Sequence, residues 1–324
     1  MSTASPTQTV STLISGLIDY AGLFPPAKLP MADAVAEYHR RLVSEDHAAL
    51  GSFICAASRL EELTEHGRVL MPGTYATSGY REMAGPGMGE PWSVSVVVDI
   101  DLSDAIDAID AFNERHASED QGLASIRALE VRMPTPAFVD DALEVIPSDI
   151  RPFFEIPQEL VLKNEDPRGY VAALAGNDGC CSKIRCGGVK PELIPPAEAI
   201  ARFIVACDAA HVPFKATAGL HHPIRAAQPL TYDDNPPHAM MHGFVNVFVA
   251  AAMVKARLAD ESRCVEILLE TDPKAFGFTN DAVTWRDVTL PLIELAKGRE
   301  RFALGYGSCS FAEPMDDLRK LGLL

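Results

Sequence analysis

The chain has 324 residues, is 48% hydrophobic and carries a formal net charge of −17, with pI near 4.9. This length supports one large core, and the acidity argues against nucleic acid as a partner, because phosphate binding needs a basic face. Seven cysteines without a CxxC pair indicate a reducing compartment. The N-terminal "MSTASPTQTV" lacks a signal-peptide pattern, and the longest apolar run, 244–254, is too short to span a bilayer. The expectation is a cytoplasmic protein with no membrane partner.

In chain order, short apolar runs alternate with amphipathic stretches. "GLIDYAGLF" (16–24) reads as a strand and "MADAVAEYHRRLVSED" as a helix. "LGSFICAAS" (50–58) is a strand before the short helix "LEELTEHG". "WSVSVVVDI" (92–100) is the third strand, and the helix after it has Ser103 as its expected N-cap. Strands four and five are "IRALEVRMP" (126–134) and "RPFFEIP" (151–157), with helices near 136–145 and 167–175. Strand six is "CSKIRCGG" (181–188), before the helix "PAEAIARFIVACDAA". Strand seven is "VPFKATAGL" (212–220), strand eight is "RFALGYGSCS" (301–310), and a helix closes the chain.

Eight strands alternating with helices predict a single (β/α)8 TIM barrel over 1–324. The absence of a GxGxxG or Walker loop argues against an open doubly wound sheet. Residues 221–298 interrupt the rhythm between strands seven and eight. They read as an insertion, lid-like or an oligomer contact, with a buried helix within 242–258. The Gly/Pro-rich stretch 72–91 reads as a mobile loop.

Barrel active sites lie at the C-terminal ends of the strands. Charged residues near those ends are Asp99, Asp101, Glu130, Arg132, Glu155, Lys183, Arg185 and Lys215. A lysine in a strand core is costly unless it is paired or used. Side chains alternate along a strand, so Lys183 shares a face with Arg185, Glu130 with Arg132, and Lys215 with Thr217. Burial and a neighbouring cation make a lysine a nucleophile, and Lys215 is that neighbour for Lys183. Glu155 or Glu130 would move protons. Arg132 and Arg185 suggest a bound carboxylate or other anion. The bland alternative is a set of ion pairs that only fills the barrel.

Several of these segments resemble deoxyribose-phosphate aldolase and its class I aldolase relatives, from strand four onward and over about half the chain. The family's strand-six imine lysine falls on Lys183 in "KIRCGG". Its second lysine falls on Lys215 in "FKATAGLHHPIR", which implies a role in lowering the pKa of the first. Its strand-five glutamate matches Glu155, "EVRM" (130–133) matches strand four, and "RFALGYGSCS" matches strand eight. The resemblance implies a Schiff-base lyase with no cofactor. Three departures stand out. The family's catalytic aspartate falls at Arg132, its small strand-six residue at Arg185, and a glycine after strand seven gives way to Leu220, His221 and His222. These argue for a small anionic carbonyl substrate other than the family's sugar phosphate.

"GLHHP" offers His221 as acid/base and His222 as a mouth residue. The same pair, with His242, Glu155 or Asp99, offers a metal-assisted lyase, isomerase or hydrolase as the alternative. Adjacent histidines on an extended segment point apart, so no metal is assigned. Gly307 and Ser308 precede a helix whose amides suit an anion, against simple capping by Ser310 with Glu313. Cys309 has no partner histidine identifiable in the sequence. A third reading is a non-catalytic binding barrel, and a homo-oligomer is compatible with all three.

Overall fold

The computed structural model describes residues 5–73 and 89–324. The expected mobile loop falls largely outside the described residues. Eight parallel strands close a barrel: β1 (Ile18–Tyr20), β2 (Leu50–Ala56), β3 (Trp92–Val97), β4 (Ala124–Arg132), β5 (Arg151–Glu155), β6 (Cys181–Arg185), β7 (Phe214–Thr217) and β13 (Ala303–Ser308). Around the barrel β13 lies between β7 and β1, which closes the ring. All eight coincide with the predicted strands, and the (β/α)8 barrel is the observed fold.

The helices follow from amphipathic periodicity. In α2 (Met31–Leu42), Met31, Ala34, Val35 and Tyr38 face inward. Tyr38 packs edge-on against Phe53 and Trp92, at ring-centroid distances of 5.4 and 5.1 Å. The layer between barrel and helix is therefore aromatic at β2 and β3. α1 (Gln8–Ile14) precedes the barrel, and α3 (Leu60–Gly67) follows β2. α4 (Leu102–His116) is capped by Asp101, whose side chain accepts from the Ser103 amide, so Ser103 is not the cap expected. α5 (Phe138–Val145) follows β4, and α6 (Gln158–Leu162) and α7 (Arg168–Leu174) both follow β5. α8 (Ala197–Ala209) follows β6.

The stretch after β7 is not one lid. A hairpin of β8 (Ala226–Pro229) and β9 (His238–Met241) brings its connecting residues Leu230, Thr231 and Tyr232 to the barrel mouth. α9 (Phe244–Lys255) is apolar on every side and buried from Phe244 to Val254. Its one polar core residue, Asn246, is fully used. Its amide nitrogen donates to the carbonyls of Ile267 and Glu270 at 2.8 and 2.9 Å, and its oxygen accepts from the Arg225 amide at 3.0 Å. α10 (Glu261–Leu269) packs on α9.

The strands β10 (Phe276–Phe278), β11 (Ala282–Trp285) and β12 (Val288–Pro291) then form a small antiparallel sheet. The Thr279 carbonyl in this region accepts from the Thr9 hydroxyl in α1 at 2.6 Å. Because α1 precedes the first barrel strand, this part of the insertion lies toward the N-terminal ends of the strands. α11 (Leu292–Arg301) leads into β13, and α12 (Ala312–Lys320) closes the fold. No helix among the described residues is long and apolar enough to cross a membrane.

Candidate active site

A cavity of about 360 Å³ opens among the C-terminal strand ends. Glu130, Arg132, Glu155, Lys183, Arg185 and Thr217 line it from β4 to β7, and Gly307 from β13. His221, His222, Tyr232, Cys309 and Glu313 line it from the loops and from α12. The chain reverses after β7 through Ala218 and Gly219, both with left-handed φ (57° and 74°). A Cβ on Gly219 would lie 2.8 Å from the Gly187 Cα, so the ends of β6 and β7 meet backbone to backbone. That turn carries His221 and His222 over the mouth.

Strand register sets the centre of the barrel. Lys183 is the lateral neighbour of both Glu155 on β5 and Lys215 on β7. Lys183 Nζ lies 2.7 Å from Glu130 Oε2 and 2.6 Å from Glu155 Oε2. Glu130 Oε1 accepts from Lys215 Nζ at 2.6 Å and from Ser95 Oγ at 3.1 Å. Lys215 also binds Asp19, whose second oxygen accepts from the Ser52 amide at 2.7 Å. Arg185 approaches the other oxygen of Glu155 at 3.9 Å. The six groups Asp19, Lys215, Glu130, Lys183, Glu155 and Arg185 thus run across the barrel with alternating charge, and the run sums to zero.

Two expectations are corrected here. Lys215 does not face Lys183 as a bare cation, because the Glu130 carboxylate stands between them and bonds to both. Lys215 also lies below the cavity, among the residues lining a hollow with Asp19 and Ser52 near the other end of the barrel. Burial pulls its ammonium down, but Asp19 and Glu130 outweigh this and hold its pKa above the ordinary lysine value. Burial likewise pushes the Glu130 carboxyl up, and the two lysines overcome this and hold it far below the carboxylate range. Ser308, expected to bind substrate, is buried and donates to the Ser310 carbonyl at 2.7 Å, and it does not line the cavity.

Arg132 and Arg185 do line the cavity. The Nε of Arg185 is buried with no hydrogen-bond partner, so a donor is left for an acceptor in the cavity. The two histidines diverge. His221 Nδ1 bonds Glu313 Oε2 at 2.9 Å, and His222 Nδ1 bonds Asp317 Oδ2 at 2.6 Å. His242 is tied to the Pro195 carbonyl at 2.8 Å, and Asp99 accepts from the Ser58 amide and hydroxyl at 3.0 and 2.5 Å. Neither completes a ligand set with the pair. Among the described residues no three His, Cys, Asp or Glu side chains are grouped to hold a metal ion.

Sequence reasoning missed the neighbours of Cys309. His221 Nε2 lies 3.9 Å from its sulfur, and the Tyr232 hydroxyl lies 3.7 Å from it. Tyr232 also donates to Glu313 Oε2 at 2.9 Å. Burial pulls His221 down, but bonding to Cys309 and Glu313 outweighs it and raises the imidazole to about 9. Asp19, in the first strand's aromatic segment where a mouth position or loop packing was expected, instead bonds Lys215 and lines the lower hollow.

The fold and site define a (β/α)8 barrel with an ionisable, cation-bearing cavity at the C-terminal ends of its strands. No protein-family model, curated protein or solved structure matches the chain.

Proposed function

We propose that the protein is a class I aldolase-like lyase, with Lys183 forming a Schiff base to a small anionic carbonyl compound. The observation that carries this reading is the position of the Lys183 amine. It lies at a cavity wall with a carboxylate on each side and arginines nearby. Glu155 Oε2, at 2.6 Å, takes a proton from the ammonium. The freed amine pair attacks the carbonyl carbon, the oxygen leaves as water, and an imine remains. The imine then withdraws electrons as a carbon–carbon bond cleaves or forms. Arg132 and Arg185 orient the anionic end of the substrate.

Lys215 acts indirectly. When Lys183 gives up its proton, Glu130 would be left as a buried unpaired anion without Lys215. By remaining charged, Lys215 keeps the core neutral enough for that transfer.

The test is imine trapping. The native protein is incubated with a panel of small aldehydes and keto acids, borohydride is added, and the modified peptide is read by mass spectrometry. An adduct on Lys183 in the wild-type chain is the expected result and needs no variant. Adducts only on surface lysines would refute the reading. Tight ligand binding without any adduct would favour the non-catalytic barrel, in which the charge run only neutralises itself.

A further inference from the structure

We propose that Cys309, His221 and Glu313 form a nucleophilic thiol site in the cavity wall, taking small electrophiles that carry a carboxylate. The three side chains are ordered as thiol, imidazole and carboxylate. The sulfur lies 3.9 Å from His221 Nε2, and Nδ1 of the same ring bonds Glu313 at 2.9 Å. Glu313 accepts the proton on Nδ1 and Nε2 faces the sulfur, so a proton taken from the thiol rests on Nε2 and leaves an imidazolium between the sulfur and the carboxylate. Tyr232 donates to the same carboxylate oxygen and holds it toward the ring. Such an arrangement activates a cysteine: the base removes the thiol proton, and the carboxylate orients the base and balances the charge.

Two further observations point to a ligand rather than to packing. Cys309 lines the cavity of about 360 Å³ together with Arg132 and Arg185, and none of the other six cysteines does. Glu313 stands three residues after Ser310, whose hydroxyl accepts from the Glu313 amide at 3.2 Å, as in a capping box. In a full box its carboxylate would return to the Ser310 amide. Here it bonds His221 and Tyr232 instead. The elevated His221 pKa, about 9, is what a ring between a thiol and a carboxylate shows. Burial, opposed by nearby arginines, pushes the thiols of Cys55, Cys181 and Cys186 up to about 12.

The covalent step balances within the site. The thiol proton passes to His221 Nε2, and the sulfur lone pair attacks the electrophilic carbon. With a carbonyl ligand the π pair moves to oxygen, which takes the proton back from Nε2 and leaves a hemithioacetal. With iodoacetate the carbon–iodine bond breaks and iodide leaves with the pair. The imidazolium keeps the proton beside Glu313. No oxidant or reductant is required.

The test uses iodoacetate on the whole chain at neutral pH, with labelled peptides quantified over time. Cys309 is expected to label first, about tenfold or more ahead of any other cysteine, as an activated thiol does. Its preference for iodoacetate over neutral iodoacetamide is expected to exceed that of free glutathione. His221→Asn, checked for fold by circular dichroism, is expected to slow Cys309 labelling about tenfold, in line with loss of a general base. Glu313 is a positioning residue. Glu313→Gln is expected to move the His221 Nδ1 proton resonance as well as to slow labelling. Labelling led by Cys180 or Cys181, which line a separate hollow, would overturn the proposal. So would a Cys309 rate unchanged in His221→Asn, or a charge preference equal to that of glutathione. The readout does not involve Lys183, so it fails independently of the imine reading.

Discussion

Substituting Glu130 by Gln tests the charge run directly. Glu130 is 3% exposed and bonds both lysines, so its loss leaves one uncompensated positive charge in the barrel core. Removing one partner of a buried pair costs about 3–5 kcal/mol. At an unfolding entropy of about 2.1 cal/mol/K per residue, each kcal/mol shifts the Tm of a chain this long by about 1.5 °C. The expected fall in Tm is therefore about 4–7 °C, read by thermal denaturation at neutral pH and low salt. The double variant Glu130→Gln/Lys215→Met restores neutrality, because Asp19, Lys183, Glu155 and Arg185 still alternate and cancel. Its loss should fall short of the sum of the two single variants by about 1–3 kcal/mol, the coupling expected of groups in one network. Strict additivity, or a Glu130→Gln variant as stable as the wild type, would refute the reasoning.

The same network predicts the sign of its pH dependence. The folded pKa of Glu130 is depressed, so its contribution is present above the ordinary carboxylate value and is lost as pH falls below it. The acid-side loss of stability should therefore be shallower in Glu130→Gln than in the wild type.

Three other outcomes follow from particular contacts. The His221 pKa is raised from 6.5 to about 9, so the stabilisation it brings is fully present below 6.5 and is lost as pH rises through 9. The Tm gap between wild type and His221→Asn should be wide at pH 6 and should close by about pH 10; a constant gap refutes the assignment. Asn246→Leu would strand the Glu270 carbonyl and the Arg225 amide, while the Ile267 carbonyl keeps the Glu270 amide at 3.3 Å, at about 1–3 kcal/mol for each unsatisfied group. Chemical denaturation should show a loss of at least about 2 kcal/mol, and a neutral result would mean that water reaches those groups. Gly219→Ala adds a Cβ 2.8 Å from the Gly187 Cα at φ 74°, so the β6–β7 ends must part. Thermal stability should drop by about 1–3 kcal/mol, and ligand binding in the cavity should weaken as well.

The barrel was legible because its strands carry their own signal. "SVSVVV" and "FICA" are short β-branched or apolar runs bounded by turns, and such runs fold into buried parallel strands. The period-two rule also put Lys183 with Arg185 and Glu130 with Arg132 on shared faces, and those faces line the cavity. The order of charges across the barrel was not legible. It depends on how far each side chain reaches between strands, and the stagger of a closed sheet is not written in any one strand. Lys183 and Lys215 are lateral neighbours, which suggested direct contact. Glu130, one strand beyond Glu155, reaches across and separates them.

The thiol cluster was hidden for a related reason. Cys309 and His221 are 88 residues apart, joined only because β13 closes the ring beside β7. The local pattern Ser310-x-x-Glu313 has a sufficient explanation as a helix cap, and that explanation accounts for the Ser310 hydroxyl alone. The Glu313 carboxylate is the part left over, and it points at His221. A local motif only half fulfilled in the folded chain marks the residue that has been diverted to another use.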